Sequence, residues 1–334
     1  MATRIDELSK LRKRRRLEQI LVTGRSDIMA LTGVDTDNGI LTDDTLYTDF
    51  RYIPAARRVA PDLKVVDIKR FRPAFGRVGC DFRMPHSRIL AWQKHSPKAK
   101  FVDISKDLSA IRAVKTPDEI ERIRAAERLV CEIWTDASAR FKPGMTERRM
   151  AAIIKKMMID RAEGEAFESI VCVGKNAAEC HHIPDDTVWN GREPVLVDIG
   201  VKLGGVCSDL TRNLVPKKPS SLYRKVYDLV LKANLAAIAA AKPGITGKAL
   251  DRVARRVIAE GGFGKCFGHS LGHGVGLDVH EDPALAKKSD AILKPGMLVT
   301  VEPGIYLEGN LGVRIEDLIL ITETGCEVLS PASK

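Results

Sequence analysis

Aromatic side chains are scarce in this chain, at 5% of 334 residues. Its interior must therefore be built mainly from aliphatic groups, which suits a total hydrophobic share of 44%. Long apolar runs are missing too. None approaches the ~18 to 20 residues that a bilayer-spanning helix needs, so a helical membrane protein is not indicated. The opening Met1-Ala-Thr-Arg-Ile-Asp6 has no apolar leader region. The seven cysteines are odd in number, and none stands in a Cys-x-x-Cys pair. That pattern argues against a disulfide framework and against a thiolate zinc site. The expectation is a reduced, cytoplasmic protein, with Cys172, Cys180 and Cys207 serving as inert buried fillers.

Charge is what the chain has in excess. The formal net charge is +10, with a visible cluster in Lys10-Leu11-Arg12-Lys13-Arg14-Arg15-Arg16. A basic run can mark a nucleic-acid or acidic-lipid surface. Here Leu8, Leu11 and Leu17 are spaced for an amphipathic helix, so the basic groups read as its solvated face. No aromatic residue interleaves with them, which removes a base-stacking platform. Neither nucleic acid nor membrane is the expected partner.

The length allows one large domain or two ordinary ones. Residues 1–111 read as a small α/β unit: a helix, a strand at Gln19-Ile-Leu-Val-Thr23, then short strands at Gly39-Ile-Leu41, Thr45-Leu-Tyr-Thr48 and Leu63-Lys-Val-Val-Asp-Ile68. Turn clusters such as Asp35-Thr-Asp-Asn-Gly39 separate them. A new start follows at Thr116-Pro117-Asp118-Glu119, with a capping threonine, proline at the first helical position and glutamate three residues after the cap. A helix should run from there to about Arg140.

Residues 112–334 then repeat a pattern. A helix ends in Lys142-Pro-Gly-Met-Thr146, and a helix with Met150, Ile153, Ile154, Met157 and Met158 on one side follows. Later, a helix with Val226, Leu229, Val230 and Ile238 ends in Lys242-Pro-Gly-Ile-Thr246, and a helix with Leu250, Val253, Val257 and Ile258 follows. Each copy next reaches an apolar strand carrying an acid, Val-Leu-Val-Asp198-Ile-Gly and Val-Thr-Val-Glu302-Pro-Gly. Each adds a second acid shortly after, Asp209 and Glu316. Lys-Pro-Gly alone is a common helix stop. The repeated order of features implies an internal duplication, whose pseudo-twofold packing would bring the four acids together.

A carboxylate is seldom buried unless it is paired, hydrogen-bonded or bound to a metal. Taken singly, Asp209 or Glu316 suits a surface loop or a helix cap. Taken with Asp198, Glu302 and His273 in this order, they suit a two-metal hydrolytic centre, in which carboxylates hold two cations roughly 3.5 to 4 Å apart. Asp209 and Glu316 would be shared, Asp198 would complete one site, and His273 with Glu302 the other. Such oxygen-rich donors favour Mn, Co or Fe(II). His273 lies in Gly268-His269-Ser-Leu-Gly272-His273-Gly-Val-Gly-Leu-Asp278-Val-His280-Glu281, which holds three of the seven histidines. Its glycines rule out a regular helix and hence a His-Glu-x-x-His zinc helix. A glycine-rich phosphate loop is the rival, but no P-loop Lys-Ser/Thr follows.

The segments Cys180-His181-His182-Ile-Pro184, Val-Asp198-Ile-Gly, Ser-Asp209-Leu-Thr-Arg212, Gly-His269-x-x-Gly-His273, Val-Glu302-Pro-Gly-Ile-Tyr306 and Val-Arg314-Ile-Glu316-Asp resemble the pita-bread metallopeptidases, in their aminopeptidase P and prolidase branch. The resemblance covers residues 112–330. More loosely, Leu31-Thr-Gly33 and Thr48-Asp-Phe-Arg-Tyr52 are similar to that branch's creatinase-type N-terminal domain. It implies an α+β pita-bread catalytic domain at 112–334 behind a small α/β domain at 1–111, hydrolysing the Xaa-Pro bond at the N-terminus of peptides with proline in second position, as an Xaa-Pro aminopeptidase or dipeptidase. It implies Asp198, Asp209, His273, Glu302 and Glu316 as ligands of two divalent ions, with Mn first and Co, Zn or Fe as alternatives. It implies His181 at the scissile amide or leaving group and His280 at the carbonyl oxygen. Glu302 would move a proton, His269 would line the substrate site, and Arg314 would steady Asp198. It also implies a homodimer. Asn213, Leu214, Cys180 and Glu193-Pro194 depart from the branch's usual residues. Methionine aminopeptidase, a catalytically silent pita-bread protein binding peptide, histone or RNA, and a creatinase-like amidinohydrolase are the alternatives.

Overall fold

The computed structural model describes residues 4–73 and 75–334. The chain divides into two compact units, Met1–Arg112 and Ala113–Lys334.

In the first unit, the helix Ile5–Arg15 buries Leu8 and Leu11 and leaves Lys13, Arg14 and Arg15 in solvent. Arg16 takes a left-handed conformation with φ 52°, which stops the helix and turns Leu17 inward. Part of the basic run is neutralised locally: Arg12 pairs with Asp43 at 2.7 Å and Arg14 with Asp107 at 3.0 Å. Two three-stranded sheets follow. Gln19–Leu21, Gly76–Cys80 and Ala99–Asp103 are parallel neighbours. Gly39–Leu41 pairs antiparallel with Thr45–Thr48, which runs parallel to Lys64–Asp67. The last strand is shorter than expected because the Asp67 side chain accepts the Lys69 N–H and turns Ile68–Arg70 into a 3₁₀ helix.

The second unit shows the duplication in its backbone. The Thr116 cap forms a complete capping box and starts the helix Pro117–Ser138. Its partner, Glu147–Arg161, is capped by Thr146, whose side chain accepts the Arg149 N–H. The second pair, Ser221–Ala240 and Gly247–Glu260, is capped by Ser220 and Thr246 in the same way. Gly144 and Gly244 sit at φ 94° and 87°, a region that other residues enter only with strain. Their N–H groups donate to Trp189 and Leu293 carbonyls at 2.8 and 2.9 Å. One step on, Thr146 bridges to Val188 and Thr246 to Ile292. The two turns are thus copies of each other down to their hydrogen bonds.

Strands follow the same rule. Ile170–Val173, Val195–Ile199 and Leu210–Leu214 form an antiparallel sheet. In the other half, Gly272–Gly274, Leu298–Val301 and Asp317–Ile321 form the centre of a five-stranded sheet. Asp198 lies in the middle strand of the first set, and Glu302 directly follows the middle strand of the second. Asp209 and Glu316 each stand just before the strand that pairs with it. Alternation along Leu298–Val301 and Asp317–Ile321 feeds two cores. Leu298, Leu318 and Leu320 pack with the first helix pair, while Val299, Val301, Ile319 and Ile321 pack with the second. Both cores are largely aliphatic, as the composition requires. The halves are stitched by backbone bonds from Cys207 N–H to the Gly276 carbonyl, 2.7 Å, and from Glu316 N–H to the Thr211 carbonyl, 3.3 Å.

Candidate metal centre

A cavity of about 560 Å³ opens in the second unit. Asp198, Asp209, His273, Glu302 and Glu316 line it, as do His181, His269, His280 and Arg314. Every site residue singled out in the sequence therefore faces one hollow. Within it, Asp209, His273 and Glu316 converge most closely, with donor atoms all within 4.8 Å of one another. His273 Nε2 lies 3.5 Å from Asp209 Oδ2 and 3.3 Å from Glu302 Oε1.

The electrostatics of this cluster favour added positive charge. Burial, then the neighbouring Glu316 and Asp198, hold the Asp209 carboxyl well above the usual range. Burial, then Glu302 and Asp198, do the same to Glu316. Burial also raises Asp198, although Arg314 pulls against it. For Glu302, burial opposes ionisation, but the His273 hydrogen bond and charge outweigh it and hold this acid low. Asp198 Oδ1 is buried and has no hydrogen-bond partner among the described residues, while its Oδ2 accepts from Arg314 Nη2. A buried acceptor facing other acids is what a cation would satisfy, so these residues fit divalent metal.

Hydrogen bonds orient the histidines. His273 Nδ1 lies 3.0 Å from the Gly274 carbonyl and donates its proton there, which turns Nε2 toward the acids. His269 Nδ1 donates to the Ser270 carbonyl at 2.7 Å, so its Nε2 accepts from the Tyr306 hydroxyl at 2.8 Å. Burial lowers the His269 pKa, in keeping with a neutral ring. His280 meets His273 edge-on, with ring centres 4.3 Å apart. Burial, then the His273 charge, lowers its pKa as well.

A family model described as metallopeptidase family M24 matches residues 121–323. The chain belongs to that family. A second model, the creatinase/prolidase N-terminal domain, matches residues 4–114. Among curated proteins, the Xaa-Pro dipeptidase of Pyrococcus furiosus is 32% identical, with 100% of this chain and 99% of the relative covered. Among solved structures, the prolidase of Pyrococcus horikoshii superposes with TM-score 0.94 at 30% identity, covering 99% of each chain. The X-Pro aminopeptidase of Thermotoga maritima superposes with TM-score 0.88 at 32% identity, again covering 99% of each. The pita-bread architecture and the likeness to the aminopeptidase P and prolidase branch are thereby shown.

This M24 metallopeptidase also carries groups that the sequence reading did not single out. Thr211 donates to Glu316 Oε2 at 2.8 Å and accepts from Arg314 Nε at 3.0 Å. Thr300 donates to Glu302 Oε1 at 3.1 Å and accepts from His273 N–H at 3.0 Å. Each threonine stands two residues from an acid, so the strand period of two was the available signal. Tyr306 accepts from Arg314 Nη1 at 2.9 Å and joins Arg314 to His269. Glu127 is fully buried behind the site and accepts the Asp209 N–H at 3.2 Å. Burial pushes its carboxyl up to about 7. No local pattern marks Glu127, which looks like one more residue on a long helix.

One cysteine reading needs correction. Cys172 and Cys207 are buried. Cys180 is only half-buried and lines the cavity, because the chain leaves regular secondary structure there and cannot fold the thiol into a core.

Proposed function

We propose that this M24 metallopeptidase hydrolyses the Xaa-Pro bond at the N-terminus of peptides, as an Xaa-Pro aminopeptidase or an Xaa-Pro dipeptidase. The observation that carries the reading is the convergence of Asp209, His273 and Glu316, with Asp198 and Glu302 beside them, in one cavity. The printed activities of the similar proteins support the choice of bond.

Asp198, Asp209, His273, Glu302 and Glu316 would hold two divalent cations, with Asp209 and Glu316 shared. Four carboxylates and one imidazole suit Mn, with Co, Zn or Fe as alternatives. Bound there, the cations supply Lewis acidity and ease deprotonation of water. The chain's own side chains do the rest. An Xaa-Pro amide nitrogen carries no hydrogen, so it must gain a proton as the bond breaks. Glu302 takes that proton from the attacking water and delivers it to the proline nitrogen. His280, whose pKa burial lowers, donates an N–H to the carbonyl oxygen as negative charge develops. His181 contacts the leaving amide, and His269, held by Tyr306, shapes the substrate wall. Phe167, Ile170 and Val279 add apolar surface for a proline ring. Arg314 donates to Asp198 Oδ2 and orients it.

The seven free cysteines accord with a cytoplasmic setting. A homodimer is the accompanying expectation, to be read by light scattering. Activity is tested with Xaa-Pro dipeptides, Xaa-Pro tripeptides and Met-Ala-Ser side by side, with Mn or Co added and bound metal counted. Cleavage of the proline peptides alone is expected. Cleavage of Met-Ala-Ser alone would overturn the assignment in favour of a methionine aminopeptidase.

A further inference from the structure

We propose that Glu147 and His182 form a clamp that positions His181 at the cavity. The segment Cys180–Asp186 has no regular helix or strand, yet Cys180, His181, His182, Ile183 and Pro184 all line the cavity. Packing does not hold it: Ile183 is 76% exposed. Its anchors are polar and flank His181 on both sides. The Cys180 carbonyl accepts from Arg314 Nη1 at 3.3 Å. His182 Nε2 lies 2.7 Å from Glu147 Oε2, and its Nδ1 lies 3.2 Å from Glu179 Oε2.

Glu147 is fully buried and collects four donors. Its Oε1 accepts the Val173 N–H at 2.6 Å and Asn176 Nδ2 at 3.0 Å. Its Oε2 accepts His182 Nε2 and, at 3.1 Å, the Asp185 N–H. One carboxylate thus ties the end of a strand, the following 3₁₀ turn and the loop beyond His181 to the start of a helix. Glu147, His182 and Asp185 also have the proximity of a metal-binding trio. Two backbone N–H groups already occupy the glutamate's oxygens, which favours a clamp over a cation site.

The duplication isolates the purpose of this acid. Thr146 and Thr246 cap their helices identically, and the next residue is Glu147 in one half but Gly247 in the other. A Cβ at Gly247 would come within 2.4 Å of the Ala284 carbonyl, so a strand closes over that helix start and no loop needs holding. The helix therefore does not require the carboxylate; the His181 loop does.

The kinetic arm of the test rests on the Xaa-Pro reading, and the exchange arm does not. Full-length protein and its His182→Ala, His182→Gln and Glu147→Gln variants are compared by amide hydrogen exchange over residues 176–187 and by kcat and KM on an Xaa-Pro dipeptide. His182→Ala should speed exchange in that segment about tenfold, with the rest of the chain and the bound metal unchanged. Its kcat should fall about tenfold with a smaller change in KM, since a misplaced His181 weakens the transition state more than binding. His182→Gln keeps an N–H for Glu147 and should restore most of both. Unchanged exchange in His182→Ala overturns the clamp, as does failure of His182→Gln to rescue. If the wild-type protein leaves Xaa-Pro peptides intact, the exchange result still decides the clamp while the substrate reading falls.

Discussion

The two halves of the second unit are built to one plan and diverge at a few residues, and the divergence is where their tasks separate. Both use a capped helix pair, a Lys-Pro-Gly turn with a left-handed glycine, and an acid on or beside a central strand. Both place their second acid at the start of the strand that pairs with it. The first half adds Glu147 and a long irregular loop bearing His181. The second adds a short glycine-rich strand bearing His273, with His269 in the bend before it and His280 in the bend beyond it. Common features assemble the acids; private ones supply the histidines. A duplication can therefore fix a symmetric charge cluster while leaving each copy free to furnish a different wall of the site.

The comparison is broken most severely by removing one acid from either half. Asp209→Ala and Glu316→Ala should behave alike, each losing bound metal and turnover together. Metal analysis with a peptidase assay checks this, and stoichiometric metal with a normal rate in either variant would remove its shared role. The same variants should lose the rise in melting temperature that added Mn gives the wild type, a stabilisation of about 2.7 kcal/mol at a hundredfold excess over Kd.

Private residues should separate chemistry from metal. His280→Ala is expected to retain both ions and slow turnover by ~10²-fold, as when one donor to a developing oxyanion is lost. Parallel loss of metal would instead make His280 part of the charge cluster.

Exchanging the helix starts sharpens the contrast between halves. Glu147→Gly imports the second half's residue and leaves the Val173 and Asp185 N–H groups without their acceptor. It should destabilise by roughly 2 to 6 kcal/mol, at about 1 to 3 for each of the two buried donors left unmatched. Gly247→Ala forces a Cβ against the Ala284 carbonyl and should cost about 1 to 3 kcal/mol. Urea midpoints measure both, and a neutral Glu147→Gly would show that the acid holds nothing.

The smallest effect is a pH dependence confined to the first half. Burial pulls the His182 pKa down, but hydrogen bonds to Glu147 and Glu179 prevail and raise it above the usual 6.5. The charged ring therefore stabilises the fold fully below about 6.5, and the contribution fades as pH rises through the higher folded value. Besides Glu147 and Glu179, Asp185 is the titratable group in this cluster. The stability difference between wild type and His182→Gln should shrink as pH rises from 6 to 8; a difference that grows would reverse the sign.

Much of this was readable residue by residue. Thr116 and Glu119 announced a helix start, and the structure shows the full capping box. Alternating apolar runs around Asp198 and Glu302 announced strands, because buried strands tolerate few other patterns. The Leu63–Ile68 strand came out short because an aspartate side chain competed for the backbone, a choice that turn chemistry makes locally. Cys180 was misjudged because burial was inferred from residue type, whereas its loop borders the cavity. Glu127 went unmarked because its hydrogen-bond partners, Asp209 and Ser330, lie far along the chain and leave no trace in local periodicity.

By itself, the order of residues determined which segments become helices and strands, that the pattern occurs twice, and which acids are too apolar in setting to be ordinary surface groups. These are short-range matters of capping, turn geometry and alternation. Only the tertiary structure decided that Asp209, His273 and Glu316 meet, that Thr211 reaches Glu316, and that Glu147 gathers the loop around His181. Those contacts join residues separated by tens to more than a hundred positions. Their geometry is set by how the two cores pack against a shared pair of strands, and local sequence rules do not encode that distance.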